Sequence, residues 1–206
     1  TQIKEMEKFF AKAKNDIQAA LQINPKIILG YGYLINMGMA LGEREFMKNT
    51  LDTALKINPH SFVVRGYYMF SLIPKWGGSI EEMKQFANES QRYIAKNPIL
   101  KILRGYIPYA EANILCPSDD NVCYIKKYNE ALAYGDHFLF LRDRGEIFYE
   151  TKQYDNAITD FNRSLELRPF QSKALKDKAK TYYRLGKIDE ALREINLAIE
   201  LDRLEP

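Results

Sequence analysis

The pentapeptide LQINP at residues 21–25 returns as LKINP at 55–59, 34 positions later. Asn-Pro alone marks only a helix end, because the pyrrolidine ring removes a backbone donor and disfavours helical geometry in the residue before it. Recurrence at a fixed spacing constrains the chain far more. One supersecondary unit is built again, and each copy must bury its apolar side against a neighbouring copy. A related phrase, SLELRP, ends at Pro169, and IDEALREINLAIELDR follows it. Ala157 and Ala191 lie 34 apart, as do Phe161 and Ile195, Ser164 and Ala198, and Leu165 and Ile199.

Between these marks apolar residues recur with the period of amphipathic helices, and no strand alternation competes. The pattern predicts eleven helices, over about 2–22, 27–40, 44–57, 61–73, 79–96, 99–115, 120–134, 138–151, 154–167, 172–185 and 188–203. Two spacings are longer: Pro59 to Pro98 is 39 residues and Pro98 to Asp136 is 38. Insertions in arrays fall in turns, so the extra residues are expected in PKWGGS (74–79) and CPSDD (116–120). Before Pro25, a stripe of Ile3, Met6, Phe10, Ala13, Ile17, Ala20 and Leu21 has the second-helix pattern without its first helix. Its unpartnered side is expected to be an apolar patch covered by upstream sequence or another chain.

These residues resemble tetratricopeptide repeats, helix–turn–helix units of 34 residues. In 138–171, Leu141, Gly145, Phe148, Ala157, Phe161 and Pro169 stand at pattern positions. In 172–205, Leu175, Ala179, Tyr182, Ala191, Ile195 and Ala198 do so, with Arg203 where the proline belongs. The copy at 28–61 is looser: Tyr31, Leu34, Gly42, Leu51, Ala54 and Pro59 fit, and Met47 replaces the small residue. The resemblance implies an all-α, right-handed α-solenoid of about five and a half repeats. It would form one domain over 1–206, with an orphan second helix at 1–25, degenerate repeats at 26–136 and two regular repeats at 137–206. It also implies a protein-interaction scaffold or adaptor, binding a peptide or protein segment in a concave groove lined by the first helices. RGYY…PKWGGS is similar to a signature in uncharacterised bacterial proteins, which implies no activity.

The first helices carry IILGYGYLIN (27–36), FVVRGYYMFS (62–71) and KILRGYIPYA (101–110), in which Gly32, Gly66 and Gly105 align and Tyr33, Tyr67 and Tyr106 follow them. Glycine inside a helix costs up to about 1 kcal/mol relative to alanine. Two reasons fit: close packing between neighbouring helices, or a groove in which a partner's backbone runs between tyrosines. The groove candidates are Tyr31, Tyr33, Asn36, Tyr67, Tyr106, Tyr109 and Tyr149. The last first helix adds Lys173, Lys176, Lys180 and Arg184, spaced to share one face. Tetratricopeptide domains of the chaperone-binding type clamp a C-terminal carboxylate on a similar wall, which implies an acidic partner. Asp177 departs from that pattern, and Glu146 and Glu150 offer ion-pair partners, so pairing across the helix seam is the other reading.

No catalytic centre, metal site or cofactor is expected. His60 and His137 are far apart in the array and follow turn residues, so both read as surface turn residues. KWGGS lacks the Lys-Ser/Thr ending of a phosphate loop. The net charge of +3 is far from the concentrated basicity of a nucleic-acid module. No apolar run approaches the ~20 residues of a membrane span. Cys116 and Cys123 in CPSDDNVC either close a disulfide or remain thiols. The disulfide would contribute roughly 2.5 kcal/mol on chain-entropy arithmetic and imply a periplasmic or secreted protein, the thiols a cytoplasmic one. Zinc needs more ligands than Asp119 and Asp120 add. Trp76 is expected to seal the wider gap between two second helices, or to overhang the groove. The rival functions are a homodimer formed through residues 1–22 and a docking arm of a larger enzyme.

Overall fold

Short apolar stripes separated by Gly- or Pro-bearing turns can be buried only by folding back on one another, as residues 28–57 and 172–204 do. The computed structural model describes residues 2–204, with side chains from 8 to 203. It holds α1 (Gln2–Ile23), α2 (Ile28–Leu41), α3 (Arg44–Ile57), α4 (Phe62–Ser71), α5 (Ile80–Gln91), α6 (Tyr106–Leu115), α7 (Asn121–Leu132), α8 (Phe138–Glu150), α9 (Tyr154–Leu167), α10 (Ser172–Arg184) and α11 (Ile188–Leu204). Among the described residues there is no strand, and no helix is long and apolar enough to cross a membrane. The all-α, eleven-helix reading therefore holds. The Ile3 and Met6 side chains of the first stripe lie outside the described residues. The chain forms two compact units, residues 1–110 and 111–206.

In residues 1–110, α2 packs against α3 and α4 around Leu34, Ile35, Met37, Met47, Leu51, Ala54 and Val64. Leu21 of α1 covers Gly30 of α2 and is buried, while Phe9 stays 72% exposed. The turn PKWGGS uses both of its glycines: Gly77 has φ +85°, and any side-chain carbon on Gly78 would strike the Leu72 backbone. Trp76 packs 6.5 Å from Phe70, and Ser79 caps α5 by accepting from the Glu82 amide. Two helices differ from the sequence reading. The stretch 79–96 is helical only to Gln91 and continues as turns. The stretch 99–115 divides into a 3-10 helix, Pro98–Gly105, and α6, because Pro108 clashes with a carbonyl four residues back and is tolerated only in a helix's first turn.

Tyr67 of α4 lies on Gly32 of α2, where a methyl group would approach its Cδ2 to 2.6 Å and its Cε2 to 2.7 Å. At Gly66 the nearest such atom is the Tyr106 hydroxyl at 3.6 Å, an ordinary contact. The aligned glycines thus behave differently. Gly32→Ala is expected to cost about 1–2 kcal/mol, overpacking outweighing the helix-propensity gain. Gly66→Ala should be neutral or stabilise by up to about 1 kcal/mol. Urea midpoints at unchanged slope measure both. Equal gains in the two variants would show that the Tyr67 ring moves aside without cost.

In residues 111–206, α8 pairs with α9 and α10 with α11, and α9 packs on α10. Phe140, Phe161, Ala157, Ala174 and Ala198 are fully buried between them. Cys116 and Cys123 are joined as a disulfide with Cα atoms 5.6 Å apart, and Asp120 between them caps α7 by accepting from the Cys123 amide. His137 is not a surface residue: it is 6% exposed, with the Phe138 and Phe140 rings 4.6 and 4.7 Å away. It stands at the N-cap of α8, where its backbone belongs to the turn while its ring enters the core. His60 is half-buried beside Tyr93, at 5.5 Å.

Candidate protein-binding faces

In the first unit, α2 is apolar on nearly every side, so part of it must face outward. Leu29, Tyr33 and Asn36 recur at i, i+4 and i+7 and share one exposed face, Leu29 at 47% and Tyr33 at 45%. Val63 and Tyr67 of α4 repeat the pattern, Val63 at 41% and Tyr67 half-buried. The Tyr33 and Tyr67 rings lie 6.1 Å apart and tilted. Leu29 and Val63 were not among the sequence candidates, although each stands four residues before a candidate tyrosine.

Three candidates belong to the interior instead. Tyr31, Tyr106 and Tyr109 are only 7, 4 and 7% exposed. Tyr31 is two residues from Tyr33, about 200° around the helix, and joins the core with Leu21 and Leu34. Tyr106 approaches Gly66, and Tyr109 follows it by three residues on the same side.

In the second unit, the basic residues of α10 already have partners. Lys173 donates to Glu146 of α8 and to Asp177, each at 2.9 Å. Lys180 reaches Asp177 at 3.0 Å, and Arg184 donates to the Tyr149 hydroxyl at 3.3 Å. Burial pulls the Lys173 ammonium down, but its hydrogen bonds to Glu146 and Asp177 outweigh this and hold its pKa above the ordinary value. The hydrogen bond that Arg184 donates to Tyr149 raises its pKa. Lys176 leaves this group and pairs with Asp202 of α11 at 2.6 Å, which with Ser172 draws the Asp202 carboxyl below its usual range. Four residues therefore do not make one wall: at 100° per residue, 176 stands about 60° from 173 around the helix, enough to turn it to another neighbour. Asp177, nearly buried at 7% exposure, is the anion around which Lys173 and Lys180 close. Among the described residues, no group of three His, Cys, Asp or Glu is arranged to hold a metal ion.

Residues 143–171 and 173–203 match the model of the tetratricopeptide repeat, and residues 42–93 match that of a domain of unknown function, DUF4034. A search of curated proteins found no match. Among solved structures, yeast Tom70 is similar with a TM-score of 0.53 at 16% identity, over 91% of this chain and 39% of Tom70. YrrB, described as a TPR protein with an unusual peptide-binding site, is similar with a TM-score of 0.42 at 16% identity, over 90% of this chain and 91% of that one. The second TPR domain of Spaghetti (RPAP3), solved with an HSP90 peptide, gives a TM-score of 0.43 at 19% identity, over 55% of this chain and 97% of that domain. At such identities the likeness concerns the fold.

Proposed function

We propose that this tetratricopeptide-repeat protein, with its regular repeats in 143–203, is an interaction scaffold that receives a partner's polypeptide segment on the exposed face of α2 and α4. The observation that carries the reading is the stripe of Leu29, Tyr33, Asn36, Val63 and Tyr67. Contiguous exposed apolar surface carries a solvation cost that a partner relieves. Tyrosine and asparagine add hydrogen-bonding tips to an otherwise greasy strip, the mixture that suits an interface. The first unit supplies such a face, whereas the basic residues of the second would first have to give up Glu146 and Asp177.

The test is a photocrosslinker in place of Tyr33 in the full chain, followed by affinity measurement with whatever partner it captures. Tyr33→Ala with Asn36→Ala is expected to weaken binding about tenfold, about 1.4 kcal/mol, with helicity unchanged. Lys176→Glu with Lys180→Glu tests the acidic-partner reading in parallel, and unchanged affinity would remove these lysines from it. Full binding by the Tyr33/Asn36 variant would rule out this face. A dimer in light scattering that Phe9→Asp dissociates would favour self-association through α1, where Phe9 is exposed.

A further inference from the structure

Helix α11 packs on α10, and beside that contact it carries an apolar stripe. Ile188, Leu192, Ile195 and Ile199 follow one another at steps of four, three and four residues, the spacing of the core positions of a coiled coil. Ile188 is 48%, Leu192 54% and Ile199 42% exposed, and Ile195 is half-buried. One repeat earlier, Tyr154, Ile158, Phe161 and Leu165 hold the same positions on α9, the helix on which α10 packs. There Phe161 is fully buried and the other three are half-buried. The stripe on α11 is thus a helix-packing face with no helix on it among the described residues.

Charge selects the occupant. Asp189, Asn196 and Arg203 are exposed at seven-residue intervals along one flank of the stripe. On the other flank Ala191 and Ala198 are buried, and the acids on that side are held by α10, Glu194 by Lys178 at 2.8 Å and Asp202 by Lys176 at 2.6 Å. A second α11 laid antiparallel, with Ile188 opposite Ile199 and Leu192 opposite Ile195, closes four apolar layers about a two-fold axis. The same register brings Asp189 level with Asn196 of the second copy, a carboxylate facing an amide. A parallel pair instead sets Asp189 on Asp189 and Arg203 on Arg203. Sliding the antiparallel pair by one heptad sets Leu192 against Asp202. The stripe is therefore complementary to itself, in one orientation and one register.

We infer that α11 is the contact through which two copies of this chain associate, antiparallel and about a two-fold axis. Four side chains from each copy fall short of the ~800 Å² per partner of a standard interface, so the dimer is weak, with a Kd of about 10–100 µM. The inference is independent of the α2/α4 face, and it differs from self-association through α1, which Phe9 would mediate.

Sedimentation of the full chain between about 1 and 300 µM tests it, and wild type is expected to pass from monomer to dimer across that range. Leu192→Asp changes an exposed position, so it should keep the helicity of wild type while associating at least about tenfold more weakly. Phe9→Asp should dimerise as wild type does. Asn196→Arg reads the register: it meets Asp189 of the second copy twice in each dimer and should tighten association about two- to tenfold at low salt. In a parallel pair the new arginine opposes its own counterpart and weakens association. If Leu192→Asp does not fold, Asn196→Arg carries the comparison. A wild type that stays monomeric at about 300 µM would overturn the inference and leave the stripe to a helix of another protein. A dimer that survives Leu192→Asp, or one that Asn196→Arg weakens, would overturn it as well.

Discussion

Asp160→Ala is expected to destabilise residues 111–206 by about 3 kcal/mol, the lower end of the range for orphaning one partner of a buried ion pair. Asp160 of α9 is 4% exposed and accepts from Arg144 of α8 twice, Nε to Oδ2 and Nη2 to Oδ1, both at 2.7 Å. Arg144 also donates Nη1 to Asn129 of α7 at 2.6 Å, so one guanidinium joins three consecutive helices. The low end applies because the Arg144 side chain remains 20% exposed and gains some water when Asp160 is lost. Replacing both, with Arg144→Met and Asp160→Leu, should recover much of the loss, since neither charge is then stranded. Urea unfolding of the two single variants and the double variant gives the coupling. A single-variant loss under about 1 kcal/mol would place this pair with exposed salt bridges.

Stability is also expected to fall as the solution is acidified below pH 6.5, through His137. Burial first, then Arg168 and Arg142, push its pKa down to about 3. In the unfolded chain it titrates near 6.5. Between these values the unfolded state binds a proton that the folded state refuses, so stability is complete above about pH 6.5 and falls with pH until the ring protonates in place. The steepest loss from this group is about 1.4 kcal/mol per pH unit. Carboxylates add their own acid dependence, so the readout is a difference. Wild type and His137→Gln, unfolded in urea across about pH 7 to 4, should show wild type losing stability faster. Parallel curves would show that the folded protein protonates His137 freely.

How much of this was legible beforehand differs from element to element. The helices from α7 to α11 fall within two residues of the expected bounds at either end, because stripe, cap and proline are local signals. The break at Pro98–Gly105 was legible in principle, since Pro108 was in view, but the aligned glycine register argued for one continuous helix. The sides taken by the tyrosines were not legible. ILGYGYLINMGMAL is apolar all round, so a stripe cannot say whether Tyr31 or Tyr33 is the buried one. Turn position misled at His137, because it describes a backbone and leaves the ring's direction open.

The amino-acid order alone determined that this chain is an array of helix hairpins, since helix formation, amphipathic period and Asn-Pro stops act within a few residues of each other. Only tertiary packing decided which polar groups were enclosed. Asp177 became the anion shared by Lys173 and Lys180, His137 entered a cage of phenylalanines, and Arg65 was covered without a carboxylate. The environment of each is built from distant segments: Tyr93 stands 28 positions after Arg65, and Glu146 27 before Lys173. Burial and charge pairing are properties of those meetings, and no local pattern contains them.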